Sequence, residues 1–110
     1  MDIDVRETDL AIVVSIDFDV DGKTAPGLQE QVLPLITAER PLILDMSRVG
    51  YMSSAGLRTL LATHRQATSS NARLLLSGLS PELRDTMEVT GFLSWFAIFD
   101  TLESALGSLK

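Results

Sequence analysis

From residue 11 onward the chain alternates four times between an apolar run too short to be a helix and a longer stretch with helical spacing. The runs occupy residues 11–20, 41–46, 73–77 and 96–99. A strand followed by a helix and then another strand needs a crossover connection, which is right-handed and lays successive strands parallel. Ahead of them, residues 2–8 carry Ile3 and Val5 alternating with acids, and a short turn at Thr8 and Asp9 predicts an antiparallel partner for the next strand. In residues 11–20, Ile12, Val14, Ile16, Phe18 and Val20 share one face, while Ser15, Asp17, Asp19 and Asp21 share the other. One face is therefore expected to be core and the other wet, with helices covering the core side only. The expected architecture is an α/β two-layer sandwich: a mostly parallel mixed sheet with helices on one face. No repeat, low-complexity tract or linker interrupts residues 1–110, so a single domain is expected.

Local signals place the helices. Thr24 is the expected N-cap of a helix running to about residue 37, with Pro26 in its first turn and Leu28, Val32, Leu35 and Ile36 on one face. Pro34 lacks an N–H and is expected to kink or shorten that helix. Ser53 or Ser54 opens the next, to about residue 70, with Leu57, Leu60, Leu61 and His64 on one stripe. Ser80 followed by Pro81 marks a helix start, and Gly91 its stop. Asp100-x-x-Glu103 resembles a capping box opening a terminal helix.

Several functions are disfavoured at once. The chain has no cysteine and a single histidine, so thiolate and multi-histidine metal sites are absent. No run approaches the ~18 apolar residues of a membrane span, and residues 1–10 lack the basic-then-apolar order of a signal peptide. A cytoplasmic protein without direct membrane insertion is expected. The formal charge of −6 lies wholly in residues 1–21, which hold seven acids and one base; the other 89 residues hold eight of each. With no dense basic run, a nucleic-acid partner is not expected. The acids of the second strand are instead expected to keep an uncovered sheet face soluble and to discourage edge pairing. Asp17-Phe18-Asp19-Val20-Asp21-Gly22 imitates the start of a calcium loop, but its twelfth position is Leu28, and Glu30 comes two residues late. No phosphate-cradling glycine motif occurs, nothing forces a catalytic triad, and lone His64 reads as a packed side chain. No metal and no cofactor are expected.

The informative stretch is residues 45–57, where a buried strand ends, a loop follows and two serines stand at a helix start. In α/β sheets, function gathers at loops beyond the carboxyl ends of strands. An ordinary N-cap, worth ~1 kcal/mol, explains a serine there. The same position also suits a phosphate, because unpaired N–H groups and the helix dipole stabilise negative charge. Ala55 and Gly56 leave the backbone beside Ser54 uncrowded for an approaching kinase, and Tyr51 and Met52 offer an apolar patch to a partner.

Leu44-Asp45-Met46-Ser47-x-Val49-x-Tyr51-Met52-Ser53-Ser54-Ala55-Gly56-Leu57 resembles the hallmark stretch of STAS domains, specifically bacterial anti-sigma factor antagonists. Asp21-x-x-Thr24-Ala25-Pro26, Leu79-Ser80-Pro81, Thr90-Gly91-Phe92 and Phe96-x-Ile98-Phe99 are similar to further family boundaries, so the likeness runs along nearly the whole chain. The resemblance implies a non-enzymatic binding switch with Ser54 as phosphoacceptor. It implies two partners, an anti-sigma factor that is also a serine kinase and a metal-dependent serine phosphatase, and allows a weak homodimer. Ser53 would cap the helix, Gly56 would permit close approach, and Tyr51, Met52 and Leu57 would frame the contact. Many family members carry aspartate before the acceptor, where this chain has Ser53. Rival roles within the family are an accessory subunit of a lipid-transport ABC complex and a small-ligand sensor.

Overall fold

The computed structural model describes residues 2–110; Met1 lies outside the described residues. Its elements are β1 (Asp4–Glu7), β2 (Ile12–Ser15), α1 (Ala25–Val32), β3 (Leu42–Asp45), α2 (Ser54–Ser69), β4 (Leu74–Ser77), α3 (Pro81–Val89), β5 (Ala97–Phe99) and α4 (Leu102–Gly107). The five strands form one sheet in sequence order. β1 is antiparallel to β2, and the other three pairings are parallel. This is the mixed α/β architecture the alternation predicts.

The alternation of side chains across each strand builds two cores. Ile12, Val14, Leu42, Leu44 and Leu76 face α1, α2 and α3, meeting Leu28, Val32, Leu60 and Met87. Their neighbours Val13, Ile43 and Leu75, one residue out of phase, face the opposite side with Ala11 and are covered by Ala105, Leu102 and Leu106 of α4. Each fully buried aliphatic side chain contributes about 1.5–3 kcal/mol, so the bare strands could not leave this second row in water. The expectation that helices cover one face holds for α1–α3 and fails for α4. The wet face also lies elsewhere than expected: β2 ends at Ser15, so Asp17, Asp19 and Asp21 sit on the segment leaving the sheet rather than on the sheet itself.

Element ends follow from single residues. Pro34 ends regular α1 at Val32, leaving a 3₁₀ turn over Leu33–Leu35 and extended backbone at Ile36. Ser80 accepts a hydrogen bond from Leu83 N–H and caps α3, with Pro81 next. At the other end Gly91 takes φ 83°, and the N–H groups of Gly91 and Phe92 donate to the carbonyls of Glu88 and Met87, the pattern that closes a helix through a left-handed residue. Asn71 (φ 56°) closes α2 the same way, with Asn71 and Ala72 donating to Thr68 and Ala67. The terminal helix has a capping box, but its members are Thr101 and Ser104 rather than Asp100 and Glu103.

Candidate functional site

The two serines at the head of α2 are held by a stretch of chain that turns at Ser47 and Arg48. Asp45, the last residue of β3, accepts a hydrogen bond at Oδ1 from Ser47 N–H (3.1 Å), and Val49 N–H donates to the Met46 carbonyl (3.0 Å). The chain then comes alongside Val20 in an isolated parallel bridge between Val20 and Met52. Val20 N–H donates to the Tyr51 carbonyl (3.0 Å), and Ser53 N–H donates to the Val20 carbonyl (2.9 Å). The alternation begun in β2 thus continues to Val20, and its last backbone groups pin the residues just before the helix.

Ser53 has extended backbone (φ −83°, ψ 179°) and its Oγ accepts from Gly56 N–H at 3.5 Å, making it the N-cap. Ser54 is the first helical residue, is exposed, and makes no side-chain hydrogen bond among the described residues. The neighbouring residues divide sharply by exposure. Tyr51 is 58% exposed, whereas Met52 and Leu57 are 6% and 8% exposed and belong to the core. Met52 and Leu57 therefore support the junction from beneath, and of these three residues Tyr51 alone lies on the surface. Gly56 is also internal. A Cβ there would lie 2.5 Å from the Val20 carbonyl oxygen and 2.6 Å from Met52 Cγ. The close approach that Gly56 permits is that of α2 to Val20, not that of a partner.

The turn into α1 borders this junction. Thr24 occupies the N-cap position without capping the helix through its side chain. Its Oγ1 instead donates to the Asp19 carbonyl (2.7 Å) and accepts from Asp21 N–H (3.0 Å). Asp21 organises the turn, its Oδ1 accepting from the N–H groups of Lys23 (2.9 Å) and Thr24 (3.2 Å). Those two backbone donors favour the charged carboxylate and hold Asp21 below its ordinary pKa. Asp17 pairs with Arg48 at 3.6 Å. The three aspartates that imitate a calcium loop are thus parted, and among the described residues no group of three or more acids and histidines is placed to hold a metal. His64 packs between Trp95 and Phe96, with ring centroids 5.5 and 5.3 Å away, as a side chain of the aromatic cluster.

Between α1 and α2 runs an open groove of about 850 Å³, lined by Gly22, Ala25, Pro26, Leu33, Ala55 and Arg58 among others. Sequence reasoning missed three contributors to this region: Val20, Asp21 as turn anchor, and Arg58. The spacing Asp21-x-x-Thr24 carried a signal for the second, and helical phase from Ser54 carried one for the third.

The family model for the STAS domain matches residues 2–105. This chain belongs to the STAS domain family. BtrV of Bordetella bronchiseptica, which is named as an anti-sigma factor antagonist, is 30% identical over 111 residues, spanning 100% of this STAS chain and 96% of BtrV. The anti-sigma-B factor antagonist of Bacillus subtilis is 30% identical over 91 residues, spanning 83% of this chain and 84% of its own. The crystal structure of an anti-sigma factor antagonist from Mycobacterium paratuberculosis superposes with a TM-score of 0.86 at 28% identity, covering 98% of this chain and 92% of that one. Among the described residues of this STAS domain, no helix is long and apolar enough to cross a membrane.

Proposed function

We propose that this STAS domain is a non-enzymatic anti-sigma factor antagonist of the cytoplasm whose binding is switched by phosphorylation of Ser54. Unphosphorylated, it sequesters an anti-sigma factor that is also a serine kinase; a metal-dependent serine phosphatase resets the phosphorylated form. The family match and the names of its relatives support the class. The observation that carries the assignment to Ser54 is the contrast between adjacent hydroxyls: Ser53 Oγ is engaged as the helix cap, whereas Ser54 is exposed and makes no side-chain hydrogen bond among the described residues. A phosphoryl group there adds about −1.5 to −2 charge at a helix start whose N–H groups and dipole tolerate it, so the fold survives while the docking surface changes.

The test is incubation with the cognate kinase and ATP, followed by mapping of the modified residue by mass spectrometry. Labelling is expected to persist in Ser53→Ala and to vanish in Ser54→Ala. Undiminished labelling of Ser54→Ala would overturn the assignment, and self-labelling with ATP but no kinase would overturn the non-enzymatic reading.

A further inference from the structure

Arg58 stands one helical turn beyond Ser54 on α2, exposed, and lines the groove between α1 and α2. Of the chain's seven arginines, Arg6, Arg40, Arg48 and Arg84 each pair with a carboxylate, whereas Arg58, like Arg65 and Arg73, makes no ion pair among the described residues, and of these three it alone lines the groove. We infer that Arg58 is an intramolecular clasp for the phosphoryl group of Ser54, and that phosphorylation thereby draws it out of the groove. The inference rests on Ser54 being the phosphoacceptor.

Helix geometry favours the contact. Residues four apart on an α-helix have Cβ atoms about 6 Å apart, and helical side chains lean toward the N-terminus, which tips Arg58 back over the turn that begins with Ser54. A guanidinium presents a planar fork that matches phosphate oxygens in a bidentate pair, and such charge-assisted bonds are about twice as strong as neutral ones. The helix start has the same sign preference, so clasp and dipole act together. Before phosphorylation the guanidinium has no carboxylate to leave, so forming the clasp breaks no ion pair.

The consequence reaches past the modified atom. Among the described residues Arg58 and Glu30 are the only charged side chains lining the groove, and they balance while both remain there. Once Arg58 turns to the phosphoryl group, Glu30 is left alone and the groove becomes anionic. Phosphorylation thus alters two neighbouring surfaces, the head of α2 and the groove beside it, and Arg58 couples them.

The test uses the full chain carrying phosphoserine incorporated at position 54 during translation, so it needs no kinase. The phosphoserine second pKa is read by ³¹P NMR. The clasp favours the dianion, so Arg58→Gln is expected to raise this pKa by about 0.3–0.5 unit. Arg58→Lys should fall between the two. Arg65→Gln removes the same charge about 16 Å along the helix from Ser54, beyond the screening length at physiological salt, and should leave the pKa unchanged. The Arg58 Nε–Hε resonance should also shift on phosphorylation. Equal pKa values in the parent and Arg58→Gln phosphoproteins, with an unmoved Nε–Hε resonance, would overturn the clasp. A kinase that ignores Ser54 would strike only the phosphoacceptor assignment, because the ³¹P measurement does not depend on it.

Discussion

Adding one methyl group at position 56 is expected to cost this domain more than its size suggests. In most helices glycine to alanine stabilises, by about 1 kcal/mol, because alanine has the higher helix propensity. At Gly56 the new Cβ would fall 2.5 Å from the Val20 carbonyl oxygen, 2.6 Å from Met52 Cγ and 3.0 Å from Val20 Cγ1. Met52 could rotate away, but the carbonyl is backbone and already accepts from Ser53 N–H at 2.9 Å. Relief therefore requires α2 to move off the residue-20 segment, which loosens the bonds to Tyr51 and Ser53. Overpacking of this kind costs ~1–3 kcal/mol and each weakened backbone bond up to ~1 kcal/mol. Set against the propensity gain, Gly56→Ala should lose about 2–3 kcal/mol, lowering Tm by roughly 10–15 °C and the urea midpoint by more than ~1 M. Gly27→Ala is the matched control, since it lies within α1 and has no atom within 4 Å of the added methyl. It should stabilise by about 0.5–1 kcal/mol. Amide exchange at Ser53 should accelerate in Gly56→Ala beyond its global loss of stability. A Gly56→Ala protein as stable as the parent, with Ser53 exchange unchanged, would refute the packing account of this junction.

Three further outcomes follow from the same geometry. Ser53→Ala removes a cap whose hydrogen bond is long at 3.5 Å, so urea unfolding should report a loss near the lower end of the capping range, about 0.5–1 kcal/mol. Asp21 has its folded pKa depressed by the N–H groups of Lys23 and Thr24, so its stabilisation is complete above the unfolded-state pKa and is lost as pH falls through the folded one. Asp21→Asn should accordingly show a shallower fall of urea midpoint below about pH 4 than the parent. Ser77 Oγ is buried with no hydrogen-bond partner among the described residues, so Ser77→Ala should raise stability by about 0.5–1 kcal/mol in the same unfolding assay.

What could be read from the sequence was whatever repeats with a period or ends on a distinctive residue. Strand and helix order came from the switch between alternating and helical spacing, and α3 from Ser80, Pro81 and Gly91 at its two ends. The fourth helix covers the face expected to be wet because residues 11–20 are not one amphipathic strand. Their first half, Ala11-Ile12-Val13-Val14, is apolar on both faces, as buried strands are, and only the second half alternates with aspartates. Ala11 and Val13 needed a cover, and Leu102, Ala105 and Leu106 supply it. At the junction, residue types alone locate the two serines without separating their roles, since an N-cap and the residue after it differ only in backbone angle; the family resemblance is what assigns the cap to Ser53 and the phosphate to Ser54. Nor do residue types say that Met52 and Gly56 face inward, because that is decided by Val20, a residue more than 30 positions away in the chain.

Calorimetric titration of the proposed anti-sigma factor kinase with this domain reads the effect of one hydroxyl on one binding event. The unphosphorylated chain and the chain carrying phosphoserine at position 54 should be compared at matched salt. Placing the added charge on a docked surface should remove about 2–3 kcal/mol of binding, so Kd should rise by well over tenfold. Equal affinity for the two forms would contradict a switch at Ser54.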